Sequence, residues 1–158
     1  MKANDIMKKR VIRVKEQDSV GCVIEKFLEY KISGIPVVND RNEMVGYISD
    51  GDILRYIGKP NEIVIGTPFF MKLFKVEQEE FIERAQKVRE LNVMELAQKQ
   101  VYKVEWDEEM ETVANILGER KIKKLPVERN GVLVGIISRG DVIRNTFKAL
   151  NSYLVSSY

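Results

Sequence analysis

The stretch IPVVNDRNEMVGYISDGDILR (Ile35–Arg55) is written a second time as LPVERNGVLVGIISRGDVIR (Leu125–Arg144). Pro36 and Val37 match Pro126 and Val127. Gly46, Ile48, Ser49, Gly51, Asp52 and Arg55 match Gly135, Ile137, Ser138, Gly140, Asp141 and Arg144. A unit this long that recurs once implies one supersecondary module that cannot bury its apolar face alone.

The repeat continues upstream. With an offset of ninety, Val11-Ile12-Arg13-Val14 falls on Val101-Tyr102-Lys103-Val104, and both stretches read as short alternating strands. After a polar break, Val20, Val23, Ile24, Phe27 and Leu28 recur at helical spacing. So do Met110, Val113, Ala114 and Leu117 in the second copy. Ile35–Asn39 and Met44–Ile48 then flank the turn Asp40–Glu43 as a hairpin. The second hairpin is one residue shorter and turns on Asn130-Gly131, a pair suited to the type I′ turn. Each hairpin runs into Ser-x-x-Asp before apolar residues, the signature of a capped helix start. Each copy is therefore strand, helix, strand, strand, helix. The expected fold is α+β, two tandem β-α-β-β-α repeats packed with pseudo-twofold symmetry and a helical insert between them. The expected boundaries are 1–57 for the first repeat, 58–90 for the insert, and 91–158 for the second repeat with its carboxy-terminal helix.

The insert opens with a turn signal at Gly58–Asn61 and carries two apolar runs, Ile63–Ile65 and Pro68–Met71. From Glu79 onward, Phe81, Ile82, Ala85, Val88 and Leu91 make a helical stripe. It reads equally as a connecting helix lying on the domain or as an arm that binds a partner or a second copy.

Composition removes several classes of function. The chain has 158 residues, 32% charged and 44% apolar, with a net charge of +2. That balance gives no strong drive toward nucleic acid, and Lys8-Lys9-Arg10 and Lys121–Lys124 read first as solvated faces. There is no His, so the usual general base and the commonest metal ligand are missing. The one cysteine, Cys22, lies in an apolar helical stretch and reads as a small packing residue rather than a nucleophile. No catalytic or metal-ligating set can be assembled from such a chain. No apolar run approaches the ~20 residues that span a bilayer. The amino-terminus has no apolar signal segment, so the expected compartment is the cytoplasm, with no membrane partner.

The twice-written unit, with Ile-Pro-Val-Val and Val-Gly-Tyr-Ile-Ser-Asp-Gly-Asp-Ile-Leu, resembles the cystathionine beta-synthase (CBS) domain, and two in tandem resemble a CBS pair, or Bateman module. Asn4-Asp5-Ile6-Met7 is similar to the family's entry motif, and Met94-Glu95-Leu96-Ala97 is its looser counterpart. The resemblance covers nearly everything except about 56–90. That insert is longer than the family's usual connection.

The resemblance implies a regulatory module that binds an adenosine-containing effector (AMP, ADP, ATP or S-adenosylmethionine) in clefts between the repeats, with no cofactor required. Asp52 and Asp141 would accept hydrogen bonds from both ribose hydroxyls. Ser49 and Ser138, at helix starts, would face phosphate. The same Ser-x-x-Asp is also a self-satisfying cap. The adenine slot implied by the family falls on Ile12, Ile32 and Ser33 in copy one, and on Tyr102, Ile122 and Lys123 in copy two. Tyr102 suits stacking on a purine or, equally, covering a sheet edge.

In the family a basic residue at the Lys124 position reaches a phosphate in the partner repeat's site, which here implies the cleft around Asp52. Arg139 stands where copy one has Asp50, and Lys123-Lys124 where copy one has Ser33-Gly34. These differences make two inequivalent sites the expectation. The expected partners are the effector, an unidentified regulated protein and a second copy in a homodimer. The alternative is a structural or oligomerisation adaptor with degenerate sites.

Overall fold

The structure is a computed structural model that describes residues 1–58 and 80–156. The apolar runs Ile63–Ile65 and Pro68–Met71 of the insert lie outside the described residues. The chain divides into two compact units: unit 1 comprises Met1–Ile12, Asp40–Met44 and Gln100–Tyr158; unit 2 comprises Arg13–Asn39 and Val45–Lys99.

In unit 2, β1 (Val14–Lys15) is followed by α2 (Val20–Tyr30), β2 (Gly34–Val38), β3 (Met44–Ser49) and α3 (Asp50–Ile57). In unit 1, α1 (Ala3–Ile6) precedes β4 (Val104–Glu105), α5 (Met110–Glu119), β5 (Lys124–Arg129), β6 (Val132–Ser138) and α6 (Arg139–Val155). A further helix, α4, covers 80–88 of the insert and leads into a 3₁₀ turn, Val93–Glu95. The strand orders, β1-β2-β3 and β4-β5-β6, repeat one another. The fold is thus α+β with tandem repeats, as the pattern of the two copies requires.

The first strand of each repeat is shorter than its alternation suggests. Only Val14–Lys15 and Val104–Glu105 form ladders, each parallel to the middle strand of its sheet. Val14 pairs with Val37 and Val104 with Val127, so a central valine of each Pro-Val motif is matched by one valine from upstream. Val11 is buried without joining a ladder.

Helix starts follow the sequence signals. Ser19 accepts from the Cys22 amide at 3.2 Å and caps α2. Ser49 and Ser138 cap α3 and α6. α2 and α5 each give way to a left-handed residue, Lys31 (φ 51°) and Lys121 (φ 53°), before their sheets resume. At the second hairpin, Asn130 (φ 52°) and Gly131 (φ 78°) supply the two positive dihedrals of a type I′ turn.

The core of unit 1 shows how the chain interleaves. Ala3 is fully buried among Val113, Leu117, Leu125, Val127 and Ile137, with Ile6 and Met7 packed against the same cluster. The amides of Ala3 and Asn4 donate to the carbonyls of Glu108 (2.9 Å) and Trp106 (2.8 Å). Lys8 exchanges backbone hydrogen bonds with Ile136, both 3.0 Å, and so extends the sheet beyond β6.

Unit 2 mirrors this with the segment ninety residues on. The Val93 amide donates to Asp18, and Gln98 and Tyr47 exchange two bonds of 2.9 Å. The tip of the first hairpin also belongs to unit 1. There the Asn42 side chain donates to the Leu133 carbonyl at 2.9 Å, across 91 residues of sequence.

Of the insert's stripe, Val88 is 1% exposed, whereas Phe81 and Ile82 remain 40% and 53% exposed. Arg84 ties α4 to the end of α3 by donating to the Ile57 carbonyl at 2.8 Å.

Candidate functional site

Each unit places a buried carboxylate at the start of the helix that follows its hairpin. Asp52 and Asp141 are each 5% exposed. A charge that deep is tolerable only when hydrogen bonds replace water, and in both units they do.

In unit 1, Oδ2 of Asp141 accepts from the Ser138 amide (2.9 Å) and hydroxyl (2.7 Å). Its Oδ1 accepts from Arg144 at 2.8 Å and faces Lys8 Nζ at 3.5 Å. Burial pushes the Asp141 carboxyl up. The Ser138 hydrogen bonds, the Lys8 charge and the Arg144 bond outweigh it and hold the group below its ordinary value.

In unit 2, Oδ2 of Asp52 accepts from the Ser49 amide (2.9 Å) and hydroxyl (3.1 Å). Its Oδ1 accepts from Arg55 and from Gln98 Nε2 at 2.9 Å.

Both carboxylates therefore have an inner oxygen fixed by the cap and an outer oxygen held by exposed partners. Arg55 and Arg144 are 69% and 68% exposed. Each guanidinium can turn from its carboxylate into water. The outer oxygen is thus exchangeable, and a ligand hydroxyl can replace the guanidinium without opening the cap.

The surroundings of the two carboxylates differ. In unit 1, Lys124 opens β5 directly opposite Ser138 and acts on Asp141 of its own unit, where the resemblance implied the cleft around Asp52. Burial lowers the Lys124 pKa, the neighbouring Lys8 lowers it further, and Asp141 opposes both. Arg139 donates its Nε to the Ile122 carbonyl at 2.8 Å and its amide to Lys123 at 3.3 Å. So Ile122, Lys123, Lys124, Ser138, Arg139 and Asp141 are gathered at one end of the sheet.

In unit 2 the place of Lys124 is taken by Gly34. A side chain there would run into Tyr47, whose Oη lies 2.6 Å from where its Cβ would be. Burial, followed by the Asp50 charge, pushes the Tyr47 phenol up to about 12. The Asp50 amide donates to the Ser33 carbonyl at 2.8 Å, which joins Ser33 to the group with Ser49 and Asp52.

Among the described residues, the remaining expected ones make no hydrogen bond to these carboxylates. Tyr102 is 50% exposed, with the Arg120 guanidinium 5.3 Å from its ring centre, so one face of the ring already carries a cation. Ile32 is half-buried. Ile12, also half-buried, closes the amino-terminal stretch that belongs to unit 1. Cys22 is half-buried and its thiol is pushed up, by burial first and then by Asp18. Among the described residues no His/Cys/Asp/Glu group is arranged to hold a metal ion. No described helix is long and apolar enough to cross a membrane.

Lys8 and Gln98 are the site residues that sequence reasoning missed. Lys8 sits in a basic run of the kind that usually faces solvent. The signal lay in the repeat itself: the offset of ninety that aligns the first strands also aligns Lys8 with Gln98. Each sits on the outer carboxylate oxygen of its own unit.

The CBS domain model matches residues 3–59 and 93–147. The chain is 32% identical over 151 residues to the uncharacterized protein MJ1426 of Methanocaldococcus jannaschii, covering 90% of this chain and 89% of that one. It is 31% identical to the chloroplastic CBS domain-containing protein CBSX2 of Arabidopsis thaliana, over 83% of this chain and 56% of that protein's length. A crystal structure of CBSX2 in complex with AMP superposes with a TM-score of 0.71 at 29% identity, covering 93% of this chain and 97% of that one.

Proposed function

From the premise that this chain belongs to the CBS-domain family, as a tandem pair of such domains, we propose that it is a non-catalytic regulatory module that binds an adenosine-containing effector and passes the bound state to a partner protein. The observation that carries this reading is the buried, capped carboxylate of each unit, with one oxygen fixed and the other held only by exposed side chains. Such a group can take the two vicinal hydroxyls of a ribose as charge-assisted hydrogen bonds. The likeness to CBSX2, whose structure holds AMP, supports the choice of an adenosyl ligand.

Ser49 and Ser138 keep each carboxylate oriented. The amides at the start of α6, a helix of 17 residues, favour negative charge on the ligand. Ile12, Ile32, Ser33, Tyr102, Ile122 and Lys123 supply the apolar edges and backbone groups for the base. The effector acts by binding two arrangements of the module with different affinity.

The adaptor alternative predicts the same fold with no ligand. Calorimetric titration with AMP, ADP, ATP and S-adenosylmethionine, repeated on Asp52→Ala and Asp141→Ala, separates the two. Binding that one or both substitutions abolish is the expected result. No uptake of any of the four at millimolar concentration refutes the sensor reading. A cytoplasmic homodimer is part of the same proposal. Light scattering after size-exclusion chromatography checks the dimer, and a monomer at micromolar protein rejects it.

A further inference from the structure

Equivalent positions around the two carboxylates carry opposite electrostatics. Around Asp141 stand Lys8, Lys124, Arg139 and Arg144: four cations to one carboxylate. The same places around Asp52 hold Gln98, Gly34, Asp50 and Arg55: one cation to two carboxylates.

The backbone frame is the same in both. Lys8 pairs with Ile136 as Gln98 pairs with Tyr47, and each side chain reaches its aspartate's outer oxygen. The helix starts are equivalent too, so they cannot discriminate between ligands; the side chains can. Lys8 and Lys124 flank β6 from its two sides and crowd each other, and Asp141 offsets them. Two lysines that share one carboxylate leave a net positive charge, which a bound anion stabilises. In unit 2 the corresponding space is filled by the neutral Tyr47 phenol, with Asp50 beside it.

Resting on the nucleoside reading above, we infer that the two units divide their ligands by charge. Unit 1 takes an adenosine that bears phosphate, held by Lys8 and Lys124, with its ribose on Asp141. Unit 2 takes an adenosine whose 5′ end carries no negative charge. Lys8 and Gln98 are the specificity-determining pair, each at the rim of a carboxylate that is otherwise the same.

The test is calorimetry with AMP and with adenosine on the full chain, on Lys8→Gln/Lys124→Gln and on Gln98→Lys/Asp50→Arg. Lys8, Gln98 and Asp50 are exposed and Lys124 is half-buried, and circular dichroism on each variant verifies that the fold is retained. Neutralising unit 1 is expected to weaken AMP by about tenfold or more while adenosine stays within about twofold, because only the charge-assisted contacts are lost. The AMP affinity of the unaltered chain, but not its adenosine affinity, falls as salt rises. Recharging unit 2 is expected to add a second AMP per chain.

Equal weakening of AMP and adenosine by the unit 1 substitutions overturns the inference, since Lys8 would then act only through Asp141. Unchanged AMP affinity overturns it as well. A wild-type chain that takes up neither AMP nor adenosine overturns the adenosyl reading itself, and the division by charge falls with it.

Discussion

Replacing Gly135 by alanine tests whether the amino-terminal segment is seated as the structure has it. Neither Gly135 nor its counterpart Gly46 has a positive φ, so backbone conformation does not demand glycine at either place. Close approach does. A Cβ on Gly135 would lie 2.4 Å from Met7 Sδ, 2.8 Å from its Cγ and 3.0 Å from its Cβ. The overlap reaches the root of the Met7 side chain, so a rotamer change cannot relieve it. At Gly46 the residue ninety after Met7 is Ala97, and the new Cβ would meet its Cβ at 3.3 Å and the Gln98 carbonyl at 3.1 Å.

Overpacking costs about 1–3 kcal/mol. The alanine regains roughly 0.4–1 kcal/mol by restricting the unfolded chain. The expected net loss is about 1–2 kcal/mol for Gly135→Ala and about 0–1 kcal/mol for Gly46→Ala, by difference of the same two terms. Urea unfolding read from midpoint and slope measures both. Met7→Ala in the Gly135→Ala background is expected to recover part of the loss, although Met7→Ala alone costs about 2 kcal/mol or more as a core truncation. Equal losses at the two glycines, or strict additivity of the Met7 and Gly135 changes, would show that Met7 does not rest on Gly135.

Other consequences are open to measurement. Asp141→Ala removes the capping box of α6 and is expected to cost about 1–2 kcal/mol in urea, together with the loss of AMP uptake in titration; retained uptake contradicts the ribose assignment. The Asp141 carboxyl is held below its unfolded value of 3.8, so its contribution is complete above that value and is lost as pH falls through the lower, folded one. Asp141→Asn should therefore flatten the acid limb of the stability profile below 3.8, and an unchanged limb speaks against the Ser138 and Lys8 contacts.

Tyr47 presents the opposite sign. Its folded value, about 12, lies above the unfolded 10.0, so the stability it contributes is intact below 10.0 and is lost as pH rises from there toward 12. Tyr47→Phe should lose less stability than wild type across that range, by about 1–2 kcal/mol after allowing for partial exposure. Matching alkaline curves would reject the buried placement.

Much of the fold was legible because the signals are local. The Pro-Val cores of β2 and β5, the Asn130-Gly131 turn and the Ser-x-x-Asp helix starts are each dictated within a few residues. Legibility failed where placement is tertiary. Val11–Val14 alternates as a strand should, yet only Val14 and Lys15 find a ladder partner. The alternation records burial at Val11 but says nothing of what lies beside it. Lys8 was unreadable as a site residue because nothing near it in sequence is its partner: it faces Asp141 through a bridge to Ile136. The candidate carboxylates were found from the cap motif. What surrounds them follows from which segment lies beside each hairpin, and the sequence shows this only through the ninety-residue offset.

The placement of Met1–Ile12 in the same unit as Gln100–Tyr158 bears on how the chain is made. Ala3 has no burial site until Val113, Leu125 and Ile137 have left the ribosome, so the segment around it must wait for residues made much later. Contacts between Met1–Ile12 and Gln100–Tyr158 also raise the contact order, which slows folding relative to two sequential halves. A cut within the insert would not release two autonomous repeats. It would leave one fragment holding β4, β5, β6, α5 and α6 of unit 1 and the other holding α1 with Ala3, the residue that fills the centre of that unit, so the fragments could regain the fold only by finding each other again.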